Sequence, residues 1–287
     1  MSKIAIVTDS NSGITQEEAK QEGIFVVSMP FLIDGQEYFE DITLNQKQFY
    51  EKLQGNGVVS TSQPSIDSLT EMWDRLLKTY EELIYIPMSS GLSGSCQTAA
   101  MLAEDYEGKV LVVDNQRISV TQRRAVEDAY AMAQAGKTSR EIYDALMKTK
   151  LEASIYIMVD TLKYLRKGGR LTPAVAALGT ILRIKPVLQI QGEKLDTFAK
   201  ARTTKQGIAI MLDAMEKDVE QRFHSNLDDL YIDVAHTENA EGAEELKREI
   251  QMRYPDQQVR INPLSLSVSC HIGPGALAIA MAKKASV

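Results

Sequence analysis

Three short polar loops hold the side chains that could do chemistry in this chain. The first is SSGLSGS, residues 89–95, which carries four serines and two glycines and leads into the helix-forming run CQTA. The second is STSQPS at 60–65, and the third is HIGPGA at 271–276. Each stands just ahead of an expected helix start. Hydroxyls and free backbone N–H groups at such a point make a cradle for an anion. Brought together, the loops would offer several hydroxyls, free backbone N–H groups and the imidazole of His271. That donor set suits a carboxylate or a phosphate. The ordinary alternative stands beside it loop by loop. Ser and Thr before a helix serve as N-caps, glycines serve turns, and a lone histidine serves as a hydrogen-bonded structural residue.

The same residues admit a reading as an enzyme. GLSGS is close to the G-x-S-x-G nucleophile elbow, with Ser93 as nucleophile, but Ser95 occupies the last glycine position of that tight turn. His236 and His271 both follow Ser93, so chain order permits a serine hydrolase or acyltransferase built on Ser93 and His271. Cys270 is a weaker nucleophile, since its sequence neighbour His271 is poorly placed to turn back on it. GSCQT lacks the G-K-[ST] ending of a P-loop. The histidines are His224, His236 and His271 and the cysteines are Cys96 and Cys270, with no clustering of zinc-ligand spacing. The residues therefore give no metal and no catalytic base for Ser93 other than His271, and they favour binding over turnover.

These loops need elements to position them. An apolar run at 3–7 ends in TDSNSG and a polar helix-like stretch follows, the strand–loop–helix opening of an α/β protein. Asp34-Gly35 marks a hairpin. Helices are expected at 45–53, at 66–80 with Ser65 as cap, at 121–135 and at 139–150. Strands are expected at 83–86 and 109–113. A second series begins at 153–159. It continues with a short helix near 162–167, the KGGR turn, an apolar segment 174–182 and a hairpin about Gln191-Gly192. A helix at 206–220, a strand at 230–234, a helix at 240–254 and a strand at 258–261 follow. The chain closes in CHIGPGALAIAMAKK, read as a loop opening a small-residue helix. Alternating strands and helices imply an α/β protein with mainly parallel sheets. A domain boundary is expected near residue 151, with no low-complexity linker marking it.

Bulk properties narrow the function classes. The chain has 287 residues, enough for one large domain or two ordinary ones. A net charge of −7 and 6% aromatic residues argue against a nucleic-acid partner. Two distant cysteines fit a reducing, cytoplasmic setting, the start MSKIAIVTDS reads as a strand rather than a signal peptide, and no window is long and apolar enough to span a membrane. The run KARTTK at 200–205 is basic within an acidic chain. It reads either as a solvated charge run or as a docking patch centred on Arg202.

Six segments in order resemble the DegV family: TDSNSGI at 8–14, TSQPS at 61–65, SSGLSGSCQTA at 89–99, YLRKGGRL at 164–171, LRIKPVL at 182–188 and HIGPGALA at 271–278. The resemblance implies a bacterial fatty-acid-binding protein with two α/β domains, at 1–151 and 152–287, and a ligand tunnel between them for one long-chain fatty acid. It implies that Thr61 and Ser93 contact the carboxylate and that His271 belongs to the same polar cluster. It places Arg170 of KGGR near the domain junction. It further implies a separate fatty acid kinase that phosphorylates the bound acid for phospholipid synthesis, so that the carrier itself needs no cofactor. Arg202 would then face that kinase or anionic phospholipid headgroups, in transient contact with the membrane surface. A dihydroxyacetone-kinase-like module for a small phosphorylated or keto metabolite is similar in architecture and remains a third reading. The sequence departs from the family where Thr121 and Arg123 stand at expected glycines, which bears on tunnel shape, and at Cys270 and Ile272 around the histidine.

Overall fold

The computed structural model describes residues 3–54, 57–170, 172–178, 184–224 and 226–285. It begins with β1 (Ile4–Asp9), α1 (Gln16–Glu22), β2 (Phe25–Val27), β3 (Pro30–Ile33), β4 (Gln36–Phe39), α2 (Gln46–Gln54), β5 (Val59–Thr61) and α3 (Ile66–Leu76). β6 (Glu82–Ile86), α4 (Ser95–Ala103), β7 (Val110–Val112), α5 (Ser119–Gln134) and α6 (Ser139–Lys148) follow. The chain continues through β8 (Ala153–Met158), α7 (Lys163–Lys167), α8 (Pro173–Leu178), β9 (Lys185–Ile190), β10 (Leu195–Ala201) and α9 (Thr204–Lys217). It ends with β11 (Leu230–His236), α10 (Ala240–Arg253), β12 (Arg260–Pro263), α11 (Leu266–Ile272) and β13 (Leu277–Lys283). The chain divides into two compact units, Met1–Leu151 with Lys284–Val287, and Glu152–Lys283.

In the first unit β2, β1, β6 and β7 form, in that order, a parallel sheet. β1 is buried along its whole length because both faces are covered, the condition that makes a parallel strand continuously apolar. Ile4, Ile6, Ile84 and Ile86 face one core with residues of α1, α5 and α6. Ala5, Val7, Leu83 and Tyr85 face the other with Trp73 and Leu69 of α3 and Ala99 of α4. The chain leaves β1 toward β2 on one side, while β6 pairs on the other, so the carboxyl end of β1 is a topological switch point, where open α/β sheets open a crevice. The first unit also holds a small antiparallel sheet, β4-β3-β5. Its β3–β4 hairpin turns at Asp34 (φ 52°) and Gly35 (φ 81°), the paired positive φ of a type I′ turn. Ser65 caps α3 by accepting from Ser68 N.

In the second unit β10, β9, β8, β13, β11 and β12 form one six-stranded sheet. Here the expectation of parallel pairing needs a correction: only β11 and β12 run parallel, and the other neighbours are antiparallel. The cause is β13. The segment LAIAMAK was read as part of a small-residue helix, and it is a strand at the sheet's centre, paired with both β8 and β11. Its pattern has period two. Leu277, Ile279 and Met281 join the core with α9 and α10, while Ala278, Ala280 and Ala282 alternate with them and are equally buried. Helical spacing would scatter those two sets. Of the apolar segment 174–182, residues 174–178 lie in α8, and 179–182 lie outside the described residues, as do Leu171, Leu182 and Arg183 of the family motifs.

Candidate functional site

The serine loop connects β6 to α4, at the carboxyl edge of the parallel sheet. Two carboxylates hold it. Asp9 ends β1, is fully buried, and accepts Met88 N at 2.8 Å through Oδ2 and Asn11 N at 3.0 Å through Oδ1. Gln122 Nε2 in the first turn of α5 donates to Asp9 Oδ1 and Thr8 Oγ1, each at 3.1 Å. Burial raises the Asp9 carboxyl above its ordinary value, opposed by the bonds from Met88, Gln122 and Asn11. Asp114 follows β7 and accepts Ser90 Oγ at 2.6 Å and Ser90 N at 3.2 Å. Neither Asp9, Asp114 nor Gln122 was singled out from sequence. Their only signal is an acidic residue at the end of an apolar strand, a common pattern.

Within the loop, Ser93 N donates to Ser89 O at 3.2 Å. Ser93 Oγ donates to Ser95 Oγ at 3.0 Å and accepts Ser95 N at 3.2 Å. Gly94 is the N-cap residue of α4, with no side-chain cap. A Cβ built on it would meet nothing within 4 Å, so the space before the helix start is open. The threonine loop lies against the same helix: Thr61 ends β5, half-buried, and Thr98 Oγ1 of α4 donates to Gln63 Oε1 at 3.2 Å. Ser62, between them, is exposed. The first unit therefore unites the threonine and serine loops at one helix start, where hydroxyls and N–H groups can receive an anion. Burial first, then Asp114 and Asp9, push the thiol of Cys96, the second residue of α4, up to about 12.

Thr121 is buried in α5, and its Oγ1 donates to Ile118 O at 2.9 Å. Arg123 turns toward α1, pairing with Glu18 at 2.9 Å and with Glu127 at 3.1 Å. Both departures from the family pattern thus carry contacts internal to the first unit.

In the second unit the KGGR and HIGPG segments fit each other. His271 is in the last turn of α11, and its ring lies on the backbone of Gly168, where a Cβ would collide with Nδ1. Gly273, at φ 76°, lies against the Tyr164 ring in the same way. Thr237 and Asn239 clamp the turn beyond. Thr237 Oγ1 donates to Gly273 O at 2.6 Å and accepts Ala276 N at 2.9 Å, and Asn239 Nδ2 donates to Gly275 O at 3.2 Å. Arg170 is exposed and donates to Gly168 O at 2.6 Å. His271 and Arg170 are therefore neighbours. Burial first, and the Arg170 charge second, lower the imidazole to about 4. With that value the His271 ring is uncharged at neutral pH. Arg202 is exposed just before α9, its N–H bonded to Gln206 Oε1 at 2.8 Å.

The DegV family model, described as an uncharacterised protein family, matches residues 3–284. The chain belongs to the DegV family. A DegV domain-containing protein of Streptococcus pneumoniae is 31% identical over 281 residues, covering 96% of this chain and 98% of that one. Among solved structures, DegV of Bacillus subtilis, titled a fatty acid binding protein, superposes with a TM-score of 0.87 at 29% identity, covering 99% and 100% of the two chains. A fatty acid binding DegV family protein from Streptococcus agalactiae gives 0.88 at 25% identity, over 99% and 100%. No helix among the described residues is long and apolar enough to cross a membrane.

Proposed function

We propose that this DegV protein binds one long-chain fatty acid and presents it to a separate fatty acid kinase without turning it over. The observation that carries the reading is the serine loop. Ser93 Oγ and Ser95 Oγ share a hydrogen bond at the open start of α4, so the pair keeps one hydroxyl proton for an anion, and the group bonded to Ser93 is a hydroxyl rather than a base that would activate a nucleophile. The two relatives titled fatty acid binding, at 25% and 29% identity, support the choice of anion.

In this reading Thr61, Ser93 and the N–H of Gly94 receive the carboxylate, with Ser62 at the rim. Neutral His271 donates one N–H, and Arg170 supplies the charge. The tail occupies a tunnel between the N-terminal and the C-terminal domain. Arg202 belongs to the surface that meets the kinase or a lipid headgroup. Physical chemistry divides the work between the two ends. Burying a tail of about fourteen methylenes at about 0.8 kcal/mol each supplies on the order of 11 kcal/mol before ordering costs. The head must be hydrogen-bonded or its burial cancels much of that. The tail therefore sets affinity and the polar cluster sets orientation.

Solvent extraction of the purified protein, followed by mass spectrometry, tests the ligand: a long-chain acid is expected, and a phosphorylated or keto metabolite instead would replace the reading. A fluorophosphonate probe is expected to leave Ser93 unlabelled. Stoichiometric labelling there would make the protein an acyl-transfer enzyme.

A further inference from the structure

Among the residues of the first unit, Asp114 has a bonding pattern that the reading above does not use. Its two carboxylate oxygens both serve one residue, Ser90, taking Oγ at 2.6 Å and N at 3.2 Å. The short hydroxyl contact is of the charge-assisted kind, about twice the strength of a neutral bond. Ser90 opens the turn that ends at Ser93, and the rest of that turn is closed locally, with Leu92 N and Ser93 N both bonded to Ser89 O at 3.0 and 3.2 Å. The front of the loop is fixed by Asp9 through Met88 N at 2.8 Å. Asp9 ends β1 and Asp114 follows β7, the two strands that flank β6 in the sheet. The loop that leaves β6 is thus suspended from a carboxylate on either side.

A carboxylate beside a site for anions is electrostatically adverse, so its presence calls for a compensating role. We infer that Asp114 is a positioning residue for the head-group site, fixing Ser90 so that the Ser93 hydroxyl and the Gly94 N–H converge on the ligand carboxylate. The inference rests on the fatty-acid reading for its ligand and on the geometry of the loop for its mechanism. Asparagine preserves both bonds: Oδ1 accepts Ser90 N and Nδ2 donates to Ser90 Oγ, with no charge. Alanine preserves neither.

The test uses the full-length protein, with hydrogen exchange measured without ligand and affinities measured for a C18 fatty acid and the C18 alcohol. Asp114→Ala is expected to raise exchange across 89–95 and to weaken the acid about tenfold while leaving the alcohol within twofold. Asp114→Asn is expected to restore the acid to within threefold of wild type. Combining Asp114→Ala with Ser90→Ala should weaken the acid no further than the worse single change, because both break one link. Unchanged exchange at 89–95, equal loss of acid and alcohol, failure of asparagine to rescue, or additive losses would each overturn the inference. If wild type holds no fatty acid at all, the ligand reading fails, and the exchange measurement still decides whether Asp114 fixes the loop.

Discussion

Ser93, His271 and Gly168 show how much chemistry rides on single contacts. Ser93 Oγ is bonded to Ser95 Oγ and Ser95 N, so Ser93→Ala removes a donor to the ligand and costs Ser95 those two contacts, at a helix start open enough for water to replace them. Loss of one hydrogen bond to a charged group is worth about 1.5–3 kcal/mol, so lipid occupancy by native mass spectrometry should fall about tenfold or more while the melting temperature stays near wild type. Undiminished occupancy would remove Ser93 from the site. For His271 the folded value of about 4 lies below the ordinary 6.5. A depressed imidazole favours the folded state when neutral, so its contribution is complete above pH 6.5 and is lost as pH falls toward 4. Its size is on the order of 3 kcal/mol. Urea denaturation between pH 7 and 4 should therefore show a steeper loss for wild type than for His271→Gln. Gly168→Ala places a methyl in the His271 ring. It is expected to destabilise the protein by about 1–3 kcal/mol, with much of the loss recovered when His271→Ala is added. Additive losses would mean that the two residues do not press on each other.

Among the elements, α5 and β13 depart most from what their sequences advertise. The first five residues of α5 include Thr121 and Arg123 where the family pattern has glycines, and the structure ties Arg123 to Glu18 and Glu127. Arg123 is only a tenth exposed, so its removal leaves half-covered carboxylates without their cation. Arg123→Ala should lower stability by about 1–3 kcal/mol and leave fatty-acid affinity unchanged. A change in acyl-chain preference instead would place Arg123 at the ligand. β13 illustrates a different point. Alternation of Ala with Leu, Ile and Met is a strand pattern, but small residues also suit helices, and composition alone does not choose between them. Partners on both sides, β8 and β11, decide it.

For the whole molecule, the informative feature is that the chain passes from the first unit to the second at 151–152 and returns at 283–284. The return has contacts to show for it: Ala285 packs into the core that contains Ile4, Ile6 and Val126, and its N–H donates to buried Asp128 Oδ2 at 2.8 Å. Ending the chain at Lys283 removes that contact while leaving every strand of the six-stranded sheet intact. Hydrogen exchange should rise in α5 and β1 and stay constant in α9 and α10, with stability lower by about 1 kcal/mol or more. Uniform change in both units would show instead that the tail acts on the protein as a whole.

Local physics made a good part of this protein legible in its residues. The type I′ turn at Asp34-Gly35, the Ser65 cap and the buried parallel strands follow from backbone preference and hydrophobic period, which act within a few positions, and the six ordered motifs were legible as a family resemblance. Long-range pairing decided the rest. Antiparallel placement of β13, the neutral state of His271 under Arg170, the turn of Arg123 toward α1 and the suspension of the serine loop from Asp9 and Asp114 each join residues far apart in the chain. Burial and hydrogen-bond partners come from packing, and no stretch of sequence contains them until the chain has closed on itself.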